Sequence, residues 1–531
     1  MAAIITSEFR KNARALFTND IKTSTTDAYF IGLGKTDSWP DTTDALGNQV
    51  TEYSRQFAAP LPVNTTLNKT DVLKNLMVLV KTNAAEVFNV IPRNNWAINR
   101  IYKVFDPTDP KSFDYETIDG VAYYPCYVTS NDRIYFCLKN TDTNGIVTES
   151  TTAIPSGTNA LELDYHTPQP LSNGEGYVWA YVTSLDEDSK FYTDQFVNYT
   201  YPTTEEIDSQ DIKNATGGLV YDFKVVNGGG ASVVSSNTKI TLMGTTRDEN
   251  GNIIPTNTQP ESPDIVIHDP GASPATSAGF EVIFGTNGIE SIKYSLVNNQ
   301  FNWVKNFLSA SIVVQTGGTV NETVDIVPYV LPYDGLGRYP DKDLPSFYAG
   351  IAVDFIGEVD GEAPVGYNVD VRQISLIKNP ERNPDVTNLN DNDDDTNEGF
   401  YASADAYDAL KYIQLPAGTL QRDYIGRDFI IEQESTGARA WLDYADNINE
   451  RLYYHQNSSP KVNFKKFSTE TTGSLKITSI AGFYDGETYR VESCINPEYL
   501  PETGEVIFYE NRKPINRNYN QTDEVKLVIQ F

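Results

Sequence analysis

The sequence predicts a mainly β fold, α+β overall, with a β-sandwich-like core, a helical N-terminal part and a small inserted β-rich module. Two observations carry this. From about residue 100 onward, short runs rich in Tyr, Val, Ile and Thr alternate with turn signals, and long helical stripes are absent. Those signals are Asn144-Gly145, Gly217-Gly218, Gly228 to Gly230, Asn250-Gly251 and Asn287-Gly288, and Asn-Gly supplies the positive φ angles that tight hairpin turns need. Short strands at such spacing stack into antiparallel sheets.

The elements follow in order. Residues 1–105 read as an α/β segment. In it Ser7 caps a helix with Phe9, Ala13, Leu16 and Phe17 on its apolar face. AYFIGLGKTDSWP then forms a strand running into a turn, and Asp71 opens a second helix striped by Val72, Leu73, Leu76, Met77 and Val80. Residues 106–380 form the main β region. After VRQISLIKNP comes ERNPDVTNLNDNDDDTNEG, too polar to bury a core and therefore a linker. Residues 381–503 form the inserted module, with a helix-compatible stretch from Ala402 to Tyr412 and the β runs DFIIEQES, ARAWLDYA and RLYYHQ. Residues 504–531 complete the main sheet. Val525, Leu527, Ile529 and Phe531 alternate with Lys526 and Gln530, the period of a half-buried strand. Burying those four apolar side chains is worth roughly 6–12 kcal/mol as an upper bound. Between the run Glu505 to Glu510 and this strand, Asn511 to Thr522 reads as a polar surface loop interrupted by Pro514.

Composition narrows the function. At 531 residues the chain is too long for one core, and about three or four domains is the expectation. It holds 33 Tyr against 5 Trp, and 41 Lys+Arg against 72 Asp+Glu give a formal charge of -31. Such a field repels phosphate backbones and anionic lipid, so nucleic-acid binding by the whole surface is disfavoured. The opening MAAIITSEFRKNARALF has too short an apolar stretch for a signal sequence, and nothing later reaches membrane length. Synthesis in a cytoplasm without membrane insertion is the expectation. Cys126 and Cys137 flank a hairpin turn at Thr129 to Asp132 and, with Cys494, read as reduced thiols.

Candidate chemistry is sparse. GLGKT at Gly32 to Thr36 ends like a phosphate-binding loop, but the required earlier glycine falls on Tyr29 and Asp37, Ser38, Trp39 and Pro40 follow where a helix belongs. The run Asp391, Asp393, Asp394, Asp395 opens like a calcium loop, yet Thr396 replaces its glycine and Ala402 its bidentate acid. His166, His268 and His455 stand far apart, without ligand spacing for zinc. No serine nucleophile elbow occurs, and pairing of carboxylates for glycoside cleavage is not visible in a sequence. In PKVNFKKF, Lys461, Lys465 and Lys466 alternate with Phe464 and Phe467 as in single-strand binders; lysines guarding an edge strand explain it more simply. No catalytic residue, cofactor or metal is expected. Tyrosine abundance without a catalytic constellation favours binding or assembly.

Several segments resemble a known family. AIITSEFR, YFIGLGKTDSW, NVIPRNNW, GEGYVWAY, VRQISLIKNP and GEVIFYENRKPI followed by QTDEVKLVIQF occur in the order seen in the baseplate wedge subunit of T-even-type contractile-tailed bacteriophages, the gene product eight family. The resemblance implies a non-enzymatic virion protein of the tail baseplate, mostly β, forming a homodimer and meeting other wedge proteins. The candidate interface is Tyr509, Asn511, Arg512, Lys513 and Arg517, expected to face an acidic or carbonyl-rich surface of a dimer mate or neighbour, where opposite charges set register. Two rival classes are a receptor- or glycan-binding adhesin using residues 381–503 and a cell-surface glycosidase.

Overall fold

In the first helix, α1 (Ser7–Thr23), the cap is Thr6, whose Oγ1 accepts the Phe9 N–H at 3.2 Å. The expected apolar face is buried only in part, with Phe17 packed against the core of the second unit. Phe9 and Leu16 are 63% and 71% exposed, while Arg14, Thr18 and Ile21 are buried. The acceptors that meet the helix decide this: Arg14 donates to the Ser346 carbonyl at 3.2 Å, to Asp341 at 2.8 Å and to Asn89. Asp341 in turn accepts from the Tyr201 hydroxyl at 2.7 Å. A long cation with a full set of acceptors is stable inside.

The computed structural model describes residues 6–52, 59–140, 169–170, 177–208, 210–255, 264–273, 279–294, 296–297, 300–301, 304–355, 369–384, 406–420, 429–479, 486–516 and 523–531. Asn144-Gly145, His166, the acidic run Asp391 to Asp395, and Arg517 lie outside these. The other labelled elements are β1 (Tyr29–Gly34), α2 (Thr66–Lys74), β2 (Leu76–Lys81), β3 (Asp370–Lys378), β4 (Ala406–Asp408), β5 (Ala438–Asp446), β6 (Arg451–His455), β7 (Glu505–Asn516) and β8 (Asp523–Gln530). The fold is mainly β, built of several antiparallel sheets.

Contacts divide the chain into two units. The first holds Met1–Arg14, Asn89–Tyr348 and Gln530–Phe531. Its sheet of Gln169–Pro170, Tyr177–Ser184, Arg133–Asn140 and Tyr127–Ser130 is buried on both faces. One face carries Phe105, Phe136, Val178 and Val182, the other Tyr102, Tyr177 and Trp179. The hairpin turn sits where the sequence places it, with Asn131 and Asp132 at φ 48° and 57° between the paired Ser130 and Arg133. Two successive left-handed residues match the strand twist. Cys126 and Cys137 lie side by side beyond that ladder, with the Cys137 N–H on the Cys126 carbonyl at 2.7 Å, and both are free thiols. Burial pushes both well above the ordinary thiol range.

The second unit holds Ala15–Phe88 and Ala349–Ile529. Its five-stranded sheet runs β4-β2-β1-β3-β7. The expected second helix is shorter and earlier: Thr65 caps α2 through the Asn68 N–H at 3.2 Å, and Leu76 to Val80 belong to β2. A continuous apolar run fits a strand buried on both faces as well as a helix stripe. Burial on both sides selects the strand. Likewise Ala406–Asp408, within the helix-compatible stretch, pairs with β2 as β4. A six-stranded sheet, ordered Leu475–Ser479, Phe429–Gln433, β5, β6, Lys411–Gln414, Ser493–Ile495, encloses its own core of Ile413, Leu442, Leu452, Tyr454 and Ile477.

The C-terminal strands correct two expectations. Asn511 to Asn516 are strand rather than loop, since β7 runs twelve residues along β3. Its pairing jumps from Gln373↔Asn511 to Val371↔Ile515, so Arg512, Lys513 and Pro514 face the single residue Arg372. That bulge is where a proline costs no ladder hydrogen bond. In β8 only Leu527 is fully buried, with Val525 and Ile529 packed at the core's margin. The stabilisation from this strand is therefore smaller than full burial of four side chains would give.

Candidate functional site

Beyond β1 the second unit takes charge into its interior. Gly32 and Gly34 set the approach: a Cβ on Gly32 would lie 2.7 Å from Leu76 Cδ2, and one on Gly34 2.2 Å from the Asn75 carbonyl oxygen. The glycines of GLGKT thus serve close strand packing. Gly34→Ala should cost about 1–3 kcal/mol through overpacking, read as a lower urea midpoint; an unchanged midpoint would contradict the close approach.

Lys35 adopts φ 57° and donates its N–H to the Asn75 carbonyl at 2.9 Å. This turn sends Lys35, Thr36 and Asp37 inside. Lys35 Nζ lies 3.1 Å from both Asp37 oxygens and 4.8 Å from the Trp39 ring centre. Across from it, His455 at the end of β6 donates through Nδ1 to Asp443 Oδ1 at 2.8 Å, with Nε2 3.6 Å from Asp37 Oδ1. Thr36 Oγ1 also donates to Asp443. Asn457 Nδ2 bridges Asp37 Oδ1 at 3.2 Å and Asn75 Oδ1 at 2.9 Å. Burial opposes a charged imidazole, but Asp443 and Asp37 outweigh it and raise His455 to about 9. Burial likewise opposes a charged Asp37, and the His455 and Lys35 contacts overcome it, lowering the carboxyl to about 2. His455 is accordingly a doubly protonated cation, hydrogen-bonded through Nδ1 to Asp443 and ion-paired through Nε2 with Asp37.

A second knot adjoins the first. Arg372 on β3 is fully buried; Nη2 donates to Glu52 Oε2 at 3.1 Å and Asp370 Oδ2 at 2.9 Å, Nε to Glu52 and Nη1 to the Thr36 carbonyl. Every carboxylate of the two knots faces a cation or a donor. Such mutual pairing of buried charges lets this network fix the local structure.

Beside the knots opens a cavity of about 590 Å³, lined among others by Lys35, Trp39, Asp41, Asp71, Trp441 and Ser459. Its walls come from stretches around 35–52, 71–75 and 441–461. Sequence reasoning missed it because only pairing of the strands brings those stretches together; the sole local hint was the charged exit from a buried strand at Lys35.

The candidate interface residues are mostly engaged within the chain. The Tyr509 hydroxyl donates to the Val63 carbonyl and accepts its N–H, both at 2.8 Å. Asn511 accepts from Gln373 and donates to the Pro60 carbonyl, both at 2.9 Å. The Arg512 carbonyl accepts the Trp39 indole N–H at 2.9 Å, and its guanidinium lies 3.2 Å from Glu510. Lys513 is exposed. The structure does not describe Arg517.

The N-terminal stretch, including α1, β1, α2 and β2, now meets its relatives. Residues 3–164 match the Phage-Gp8 family, described as bacteriophage T4, Gp8. The chain is similar to that family, as the sequence islands indicated. Over 203 residues it is 25% identical to the baseplate wedge protein gp8 of Enterobacteria phage T4, a match covering 35% of this chain and 56% of that protein. The chain thus matches little more than half the length of T4 gp8. The Gp8 match contains GLGKT and both close-packed glycines; the bulged β7 lies beyond it.

Proposed function

We propose that this chain is a structural, non-enzymatic component of a phage tail baseplate wedge, resident in the virion after synthesis in the host cytoplasm. The match of residues 3–164 to the Gp8 family carries the reading. The formal charge of -31 disfavours a nucleic-acid partner. No helix among the described residues is long and apolar enough to cross a membrane. Residues 381–503 act as an inserted module, a reading supported by the separate core of the six-stranded sheet.

The chain assembles as a homodimer that contacts other wedge proteins, with Lys513 of β7 and Arg517, the cation that follows in the sequence, steering the encounter. Tyr509, Asn511 and Arg512 act there by holding the bulge in shape. Reversing Lys513 and Arg517 to Glu should reduce assembly at physiological salt, measured by sedimentation with the wedge partners. Unchanged assembly would remove this edge from the interface. The wedge reading itself is tested by a density map of intact particles and by peptide mass spectrometry of purified virions. Absence of the chain from the particle would defeat it.

A further inference from the structure

We propose that loop 461–467 and the end of α2 form a docking surface for an acidic peptide segment of a partner protein. Guarding an edge strand does not explain the lysines of this loop. Residues 462–470 are not strand, and the six-stranded sheet has its edges at Leu475–Ser479 and Ser493–Ile495. Side chains hold the loop in shape instead. Val462 and Phe467 are buried near its two ends, and Phe467 sits edge-on to Tyr454 with ring centres 4.9 Å apart. Between them Asn463 Oδ1 accepts the Arg439 and Lys465 N–H groups at 3.2 and 3.1 Å, while its Nδ2 donates to the Gly437 carbonyl at 3.0 Å. Gln456 donates to the Lys465 carbonyl at 2.8 Å. Phe464, Lys465 and Lys466 are left exposed, Phe464 by 58%. A loop pinned in this way has little ordering entropy left to lose on binding.

Charge selects the class of partner. Lys74, at the end of α2, lies 4.9 Å from the Phe464 ring centre, so an exposed aromatic stands among ammonium groups. Burial first, then the nearby charge of Lys466, lowers the Lys411 ammonium. Glu502 answers Lys74 at 3.6 Å, whereas Lys465 and Lys466 form no ion pair among the described residues. Lys461 lies over the Trp441 ring, 5.8 Å from its centre. The chain as a whole carries a formal charge of -31, but at physiological salt carboxylates beyond about 8 Å are largely screened. A partner at this surface therefore meets the lysines. Carboxylates of an incoming segment pair with Lys465 and Lys466, and an apolar side chain beside them covers Phe464, an aromatic anchor of the kind interfaces use. Single-stranded nucleic acid fits less well, because it needs successive aromatic platforms along a basic groove and this loop exposes one ring.

Docking here goes beyond the wedge reading and does not depend on it, since incorporation into particles can be followed separately in the same variants. The probe is a short fluorescein-labelled peptide of Asp, Glu and Leu, titrated with the full chain at physiological salt and read by anisotropy. Its Asn/Gln analogue, oligo(dT) and phosphatidylglycerol vesicles serve as controls. The acidic peptide should bind saturably and about tenfold or more tightly than its neutral analogue. Lys466→Glu should weaken it several-fold, and Lys465→Glu combined with Lys466→Glu about tenfold or more. Lys111→Glu, at an exposed position of the first unit, changes net charge as much as Lys466→Glu and should leave affinity unchanged. Phe464→Ala should weaken binding several-fold with no change of charge. Absence of saturable binding, equal loss in Lys111→Glu, undiminished binding in the double reversal, or preference for oligo(dT) or vesicles would overturn the proposal. So would self-association abolished by the double reversal, which would give the surface to a second copy of the chain.

Discussion

Replacing Arg372 by methionine will lower the stability of the second unit by about 3–5 kcal/mol, the usual cost of breaking a buried ion pair from one side. The guanidinium has no solvent exposure, and the Glu52 and Asp370 side chains are 2% and 1% exposed. Methionine fills much of the volume but leaves two buried carboxylates and the Thr36 carbonyl without their donor. A domain's whole net stability is only about 5–15 kcal/mol, so the change should be plain in the urea midpoint followed by tryptophan fluorescence. Adding Glu52→Leu and Asp370→Asn should restore most of the loss, because the penalty arises from stranded charge and not from the cation's absence as such. A loss below about 1 kcal/mol in the single variant would place the group in the class of weak, solvent-screened pairs.

Raising the pH will destabilise the second unit through His455. Its folded value of about 9 stands above the unfolded imidazole, so its contribution is complete below about pH 6.5 and is lost as pH rises through 9. The size is about 3 kcal/mol, from roughly 1.4 kcal/mol for each unit of displacement. Asp37, held down to about 2, acts oppositely: its contribution is present above about pH 4 and disappears as pH falls through 2. Asp408 also titrates in the alkaline window. Burial first, then Glu498 and Asp443, push it up to about 8, so its contribution is complete below about pH 4 and is lost as pH rises through 8. The difference between wild type and His455→Gln isolates the histidine. Thermal midpoints from pH 5 to 10 should fall more steeply for wild type above pH 7 and converge on the variant near pH 10. Parallel profiles would show that His455 is neutral in the folded protein.

Local pattern told the class of the fold and many strands. The runs DFIIEQES, ARAWLDYA and RLYYHQ supply the strands Phe429–Gln433, Ala438–Asp446 and Arg451–His455 because alternation and β-branched content are short-range properties. The hairpin at Asn131-Asp132 was readable for the same reason. Errors arose where one pattern serves two structures. Leu76 to Val80 fits a helix stripe or a doubly buried strand, and only the neighbours β1 and β4 on its two sides separate them. Asn511 to Asn516 has the composition of a loop, and the β3 edge with its bulge at Arg372 made it strand. The buried face of α1 followed the acceptors Asp341 and Asn89, more than three hundred and about seventy-five residues away along the chain, which no helical wheel contains.

What the sequence determined by itself was a mainly β chain, poor in thiols, strongly acidic, and carrying islands that resemble the Gp8 family, which residues 3–164 match. Those are properties of composition, short-range period and residue order. The tertiary structure alone decided that Lys35, Asp37, Asp443, His455, Glu52 and Arg372 neutralise one another out of water, and that two tryptophans separated by some four hundred residues wall one cavity. The physical reason is desolvation. A charge is tolerable inside only when partners reach it, and which residues become partners is fixed by strand pairing across the whole chain.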